Sequence, residues 1–297
     1  MRLNRRQAMA AGVAAITLNS VPVTASSSKP NQSICVFTKP FNSLSFDELA
    51  ERIAELGFDG IEAPIRKGGH IEPEQVEDKL PQLVAALKKH DLQITVMTSD
   101  ISDPNDPKAI EVLRTAAKLG IQRYRMGYLR YDLSKPVVEQ LKQWRPRFRD
   151  LAAVNRELGI TAVYQNHASN KNLGAAIWDL RQVLKGIPSN EIGVAYDIRH
   201  AMVEGGKSWP ISFNMIRPHI DTVYVKDFVW EGSKVKNVPL GDGLVDPKFF
   251  QKLAAANFQG PISLHEEYLD HKLPELVPQH FAAINNDLAV LNKWLRG

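Results

Sequence analysis

His167, His200 and His265, together with Gln165, Asp197, Lys226, Glu62 and Glu267, are the residues of this chain whose types and spacing could do chemistry. Most close a short β-branched or aromatic run: Tyr164-Gln165-Asn166-His167, Tyr196-Asp197-Ile198-Arg199-His200, Tyr224-Val225-Lys226-Asp227 and Leu264-His265-Glu266-Glu267. Strand alternation puts Gln165 with His167, and His265 with Glu267, on one face. Imidazoles and carboxylates move protons, an ammonium stabilises developing negative charge, and the imidazoles and carboxylates also ligate divalent ions. Earlier runs contribute Glu62, followed by Arg66, Lys67 and His70, and then Arg123 and Arg125. Singly, each has a structural reading. A histidine at a strand end can be a satisfied core group, Lys226-Asp227 a local ion pair worth about 0–1 kcal/mol if exposed, and Arg123 the partner of a nearby carboxylate. Those readings do not explain why the polar groups cluster at the tips of four successive runs.

The elements that must position them alternate along the chain. Candidate strands are Ile34–Thr38, Gly60–Pro64, Gln93–Thr98, Gln122–Met126, Thr161–Asn166, Gly193–Asp197, Thr222–Asp227 and Pro261–Glu266. Between them lie stretches of helical period. Ser45-Phe46-Asp47-Glu48 reads as a capping box opening a helix to Leu56, with Gly57 past its end. Pro73, Pro107 and Pro247 sit at first-turn positions, the last two after Asp106 and Asp246 as N-caps. Further helices are expected over 134–158, 172–186, 209–217 and 276–295. Strands alternating with helices imply parallel pairing. Eight units after residue 30 fit a single (β/α)8 TIM barrel, typically about 250 residues. An open doubly wound sheet would carry a Gly-rich turn after its first strand, and Phe37-Thr38-Lys39-Pro40-Phe41 has none. In a barrel, chemistry sits at the C-terminal ends of the strands.

The 297 residues are 44% hydrophobic and 24% charged, which excludes a disordered tail, and a single cysteine, Cys35, excludes an internal disulfide scaffold. Arg5-Arg6, an apolar stretch from Ala10 to Val23 and the small-x-small Val23-Thr24-Ala25 resemble a twin-arginine export signal over residues 1–25. The apolar stretch, broken by Thr17, Asn19, Ser20 and Pro22, is unsuited to spanning a bilayer. The expectation is a periplasmic or extracellular protein starting near Ser26, with residues 26–297 as the barrel domain. The first 25 residues hold Arg2, Arg5 and Arg6 and no acid, so without them the formal charge falls from +4 to +1. That balance gives no argument for nucleic-acid or membrane partners.

From Ile34 to Trp294 the strand-end series resembles the xylose-isomerase-like TIM-barrel superfamily, the sugar phosphate isomerase/epimerase group. The resemblance rests on Gln165-Asn166-His167, Asp197-x-x-His200, Val225-Lys226-Asp227, Pro239-Leu240-Gly241-Asp242-Gly243 and Ile262-Ser263-Leu264-His265. It implies a divalent-metal site at the positions of Gln165, Asp197, Tyr224 and His265, of which only Asp197 keeps the family's usual residue type. Gln165, Asp197 and His265 bring one negative charge where the usual set brings three. Such donors disfavour Mg²⁺ and leave two expectations: a borderline ion (Mn, Co, Ni or Zn), or no metal, with Lys226 and the histidines carrying the electrostatic task.

The resemblance also implies proton transfer next to a carbonyl, as in isomerisation, epimerisation or dehydration of a small-molecule carbohydrate. On that basis His265 or Glu267 is the expected base, His167 the acid/base on the opposite side, and Lys226 the group facing the enolate oxygen. His200, Glu62, Arg66 and Arg125 are expected to bind substrate, with Trp230 and Trp209 as stacking platforms for a sugar face. Two alternatives stand beside the isomerase or epimerase: a lyase or hydratase acting on a keto-sugar or 3-keto-glycoside, and a non-catalytic sugar-binding barrel. Amides of the Gly241-Asp242-Gly243 loop could meet a phosphate, but Asp242 would repel it, which favours an unphosphorylated substrate. Barrels of this size often form homo-oligomers.

Overall fold

The computed structural model describes residues 32–297; the expected export signal and its cleavage position lie outside the described residues. Numbering strands in chain order, β1 (Ile34–Phe37), β2 (Gly60–Pro64), β3 (Gln93–Thr98), β4 (Arg123–Arg125), β5 (Thr161–Gln165), β6 (Ile192–Asp197), β7 (Ile220–Val225) and β10 (Ile262–Leu264) close a parallel barrel. All eight expected strands are present, Gly60–Pro64 and Gln93–Thr98 with the expected bounds and the others with ends shifted by no more than two residues. Around them run α1 (Phe46–Glu55), α2 (Val76–Lys88), α3 (Pro107–Lys118), α4 (Val137–Leu158), α5 (Trp178–Val183), α6 (Ile198–Gly205), α7 (Trp209–Ile216), α8 (Lys248–Ala255) and α9 (Val277–Arg296). No described helix is long and apolar enough to cross a membrane.

Period-two alternation sorts each strand into two faces. Ile61, Met97, Tyr164, Val194, Tyr196, Val223 and Leu264 join the core between sheet and helices. Their neighbours turn inward, where Val96, Val163, Ala195 and Tyr224 form a separate buried cluster. One step further toward the C-terminal end, the inward face becomes polar: Glu62, Thr98, Arg125, Gln165 and Asp197 are all buried. Buried polar groups need partners, and this ring supplies them internally.

The helix starts follow the local signals. Ser45 Oγ accepts the Glu48 N–H at 3.2 Å, and Asp106 accepts the Lys108 N–H at 2.9 Å. Asp246 accepts the Lys248 N–H at 3.0 Å, although α8 begins after Pro247 rather than at it. Three departures touch the site. The helix expected over 172–186 contracts to α5, because residues 171–173 pair with the loop after β4: Tyr131 N–H donates to Lys171 O at 2.7 Å and Leu173 N–H to Leu129 O at 3.0 Å. Residues after Asp197 form α6, which Asp197 caps by accepting the His200 N–H at 3.1 Å. After β7 the chain makes an antiparallel hairpin, β8 (Asp227–Glu231) and β9 (Lys234–Val238), turning at Gly232, whose φ of +62° suits glycine.

Candidate active site

At the C-terminal mouth of the barrel lies a cavity of about 200 Å³. That is smaller than the roughly 300 Å³ at which pockets for drug-sized ligands begin, which suits a small molecule. Of the residues named from sequence, Glu62, Arg66, Arg125, Gln165, His167, Lys226, His265 and Glu267 line it. Phe37, Lys39 and Tyr128 join them unforeseen. Lys39 lies two residues past β1 and Tyr128 three past β4, so a scan of loops directly after strands would have found both.

His265 is the most tightly oriented group. Its ring lies 4.8 Å from the Phe37 ring and 4.4 Å from the Tyr224 ring, and Nε2 sits 2.8 Å from Glu62 Oε2. Ser263 donates to the same Glu62 oxygen at 2.7 Å, and Thr98 donates to the other. Burial pushes the Glu62 carboxyl up. The adjoining His265, through charge and hydrogen bond, with Thr98 and Arg125, outweighs this and holds it at about 2. An ionised Glu62 can only accept, so His265 Nε2 carries the proton that faces it, and Nδ1 is the atom that holds the lone pair in the neutral ring. Both Glu62 oxygens thus hold protein partners, which places the carboxylate to orient His265, while Glu62 also lines the cavity where contact with substrate is expected of it.

Lys226 is the second fixed group. Its ammonium lies 2.7 Å from Glu267 Oε2 and 3.2 Å from Asp197 Oδ2. Burial alone would favour neutral lysine, but Asp197 and Glu267 raise its pKa above the ordinary value, so it remains a cation. Burial likewise pushes Glu267 up, and Lys226 and His265 bring it well below the usual carboxylate range. A carboxylate so stabilised is a weak base.

Gln165 and Asp197 complete the floor. Arg125 donates to Gln165 Oε1 at 3.1 Å, and the Tyr128 hydroxyl donates to the same oxygen. The carboxamide nitrogen is thereby turned toward Asp197 Oδ2, to which it donates at 2.8 Å. Asn166 pins Asp197 further, accepting its N–H at 2.8 Å and donating to its carbonyl at 3.0 Å. Arg125 thus braces Gln165 while lining the cavity, and its Nε has no hydrogen-bond partner.

The metal expectation meets these contacts directly. Gln165 shows its N–H, not its oxygen, to Asp197; Tyr224 is fully buried; His265 Nε2 belongs to Glu62; and the Lys226 cation stands against Asp197. These donors do not fit a divalent ion. Among the described residues no group of three or more His, Cys, Asp or Glu is arranged to hold one. The partners of Gln165, Asp197 and His265 are protein groups.

The two remaining histidines form a layer on the β5–β6 side, ring centroids 3.9 Å apart. His167 Nδ1 donates to the Ala168 carbonyl at 2.9 Å, leaving Nε2 as the lone pair. Burial and the charge of Lys226 lower its pKa, so it is neutral at neutral pH. His200 lies outside the cavity lining, beneath His167. Its Nδ1 accepts from Arg199 at 2.8 Å, and burial holds it well below 6.5. His200 therefore supports His167, which corrects its expected contact with substrate.

Other expectations resolve outside the cavity. Trp209 is buried against Phe213 and Phe249, and Trp230 lies on the β8 strand beside Phe228 without lining the cavity. Neither is a platform there. Arg123 pairs with Asp221 at 2.8 Å, His70 binds the Leu44 carbonyl at 2.9 Å, and Lys67 is exposed. The amides of Gly241 and Gly243 do not await a phosphate: both donate to Asp227 Oδ2, at 3.0 and 3.1 Å, while Phe228 and Val245 donate to Oδ1 at 2.8 and 2.9 Å. Asp227 folds that loop against the hairpin. Cys35 is buried inside the barrel, where burial and Glu62 push its thiol up to about 12 and leave it unreactive.

Known proteins share this architecture. The structure of 3-keto-D-glucoside 4-epimerase from E. coli is 19% identical, covers 89% of this chain and 99% of its own, and superposes with a TM-score of 0.66. The probable 3-DHS dehydratase from Bacillus anthracis gives 16%, 86%, 99% and 0.65, and the IOLI protein with a bound zinc atom 16%, 89%, 98% and 0.68. No curated protein sequence matches the chain. The model of the xylose isomerase-like TIM barrel matches residues 50–291, which span the inward-facing ring from Glu62 to His265. The chain belongs to the xylose isomerase-like TIM-barrel family.

Proposed function

We propose that this protein is a carbohydrate isomerase or epimerase that moves a proton next to a carbonyl. One observation carries the reading: an oriented base and a fixed cation line the same small cavity, His265 with its Nε2–H committed to Glu62, and Lys226 held by Asp197 and Glu267. His265 Nδ1 takes the proton from carbon. Lys226 faces the carbonyl oxygen, where negative charge grows as the enolate forms. His167, with Nδ1 committed to Ala168, offers Nε2 for proton return on the other side of the substrate. A sugar-binding barrel without turnover would have no use for a base oriented by a buried carboxylate. Lys226 stands where an ion would otherwise neutralise the enolate, so the scheme needs no metal.

The lyase or hydratase reading shares every step up to the enolate and then expels a group from the neighbouring carbon. The likeness to the probable dehydratase favours keeping it. Proton NMR of the protein with aldose–ketose pairs and with 3-keto-glycosides separates the two. A new isomer with all carbons retained supports isomerisation; a free aglycone or an unsaturated sugar supports elimination. No turnover of any of them would overturn both.

Arg5-Arg6 supports delivery through the twin-arginine route to the periplasm or beyond. Retention of an Arg5→Lys/Arg6→Lys chain in the cytoplasm, with the parent chain exported, would test that route.

A further inference from the structure

We infer that the substrate is a monoanionic sugar, a sugar acid whose carboxylate docks between Lys39 and Arg66. The inference names the substrate class of the proposed proton-transfer site and rests on that reading for the reaction, though not for binding.

Both side chains line the cavity, Lys39 from the turn after β1 and Arg66 from the loop after its neighbour β2. They are the uncommitted cations of the mouth. Lys226 has Asp197 and Glu267, and Arg125 has Gln165 and Tyr128. Neither the Lys39 ammonium nor the Arg66 guanidinium has a hydrogen bond or ion pair within the described residues, though both are half-buried. They are also crowded by like charge. Burial and then Arg125 lower the Arg66 pKa; for Lys39, burial and the repulsion of Arg66, Lys226 and Arg125 outweigh the attraction of Glu267. Glu267 attracts Lys39, and Asp100 and Glu62 attract Arg66, but none of them hydrogen-bonds or ion-pairs with either, and half-buried cations left without a bound partner beside one cavity are a binding site for an anion.

Charge at the mouth favours a small valence. Lys39, Arg66, Arg125 and Lys226 line the cavity with Glu62 and Glu267, Asp197 lies beneath Lys226, and the exposed Asp100 acts on Arg66 and Arg125 from outside the lining. A single carboxylate disturbs that near-even balance least. A phosphate monoester, at about −1.5 to −2 near neutral pH, overshoots. Arg66 also presents a planar fork suited to a carboxylate's two oxygens. Its guanidinium lies 6.0 Å from the centroid of the Phe37 ring that also packs on His265, so the docked anion places the sugar beside the base.

Isothermal titration of the purified protein tests this with D-glucuronate, D-galacturonate and 2-keto-D-gluconate against D-glucose, D-galactose and D-fructose, with D-glucose 6-phosphate as a further arm. The inference expects at least one acid to bind about tenfold or more tighter than its neutral counterpart. Arg66→Gln and Lys39→Gln, checked for unchanged melting, should erase that preference. It is overturned if no acid binds saturably, if neutral sugars bind as tightly, if the preference survives both substitutions, or if the phosphate ester binds best. Deuterium uptake separates it from the reaction. His265-dependent exchange into a neutral keto-sugar bound as tightly as any acid would sink this inference alone. An Arg66-dependent acid that exchanges no proton, with no neutral sugar exchanging either, would sink the proton-transfer reading alone.

Discussion

Lys226 Nζ lies 3.2 Å from Asp197 Oδ2, so the carboxylate that the family resemblance assigns to a metal is neutralised by a side chain of the same barrel. Gln165 donates to that same oxygen and Glu267 holds the ammonium from the other side. A buried cation with two carboxylate partners is a unit, and its parts cannot be removed singly without penalty.

Lys226→Met should therefore destabilise the fold by about 3–5 kcal/mol, the range for stripping one partner from a buried pair. Adding Asp197→Asn and Glu267→Gln should recover much of that loss, because no uncompensated buried charge remains. Urea unfolding of the single and triple variants reads both outcomes; a single variant as stable as the parent would contradict the assignment.

Exhaustive dialysis against EDTA should leave both melting temperature and turnover unchanged. Mn²⁺, Co²⁺, Ni²⁺ or Zn²⁺ at 1 mM should add none of the roughly 2.7 kcal/mol that ligand at a hundred times Kd supplies. A chelator-sensitive, metal-restored activity would show that Gln165, Asp197 and His265 rearrange to take an ion.

Much of this was legible in the sequence, and the illegible part has a physical cause. The strand rhythm, the caps at Ser45 and Asp106 and the inward Gln165/His167 and His265/Glu267 pairs follow from periodicity alone. Which residue on the inward face is a base and which an orienter does not. Glu62 and His265 are 203 positions apart, and only barrel closure through β1 brings them together. His200 read as a site residue because it follows a strand tip, yet Asp197 starts a helix there and turns it beneath His167. Trp230 lies off the cavity because the β8–β9 hairpin carries it away from the mouth, and the alternating run around Gly232 is the signal for that hairpin.

Stability should fall as pH drops from 7 toward 5. His167 and His200, with His70, His219 and His271, have pKa values below 6.5 in the fold, so at these five sites the unfolded chain binds more protons than the native one in that window, while the single Asp287, pushed up to about 7 by burial, works the other way. Stability then rises with pH: their contribution is present above about 6.5 and is lost as pH falls through the folded values. Melting curves between pH 5 and 7 should show the slope, and His200→Gln should flatten it. A slope unaffected by that change would remove His200 from the explanation.

Asp227→Ala should loosen residues 239–245, because four backbone N–H groups lose their acceptor at once. Gly243→Ala should do the same by collision: a Cβ there would meet Asp227 Oδ1 at 2.2 Å. Amide hydrogen exchange should rise in this loop in both variants and stay unchanged in β2–β5. A loop as protected as in the parent would show that Asp227 does not organise it.

Glu62→Gln keeps the shape of the His265 partner and removes its charge. If Glu62 orients the base, kcat should fall about tenfold or more with KM little changed, the pattern of an interaction made in the transition state. A change confined to KM would return Glu62 to substrate binding.

The most direct test of the central claim follows deuterium from D2O into the carbon beside the carbonyl, by proton NMR, over a panel of neutral and acidic keto-sugars. The account predicts that the parent protein exchanges that proton in at least one of them, that exchange persists after EDTA dialysis, and that His265→Gln slows it by about 10²–10⁴-fold while substrate still binds. Exchange at the parent rate in His265→Gln, or no exchange in any sugar the protein binds, would contradict it.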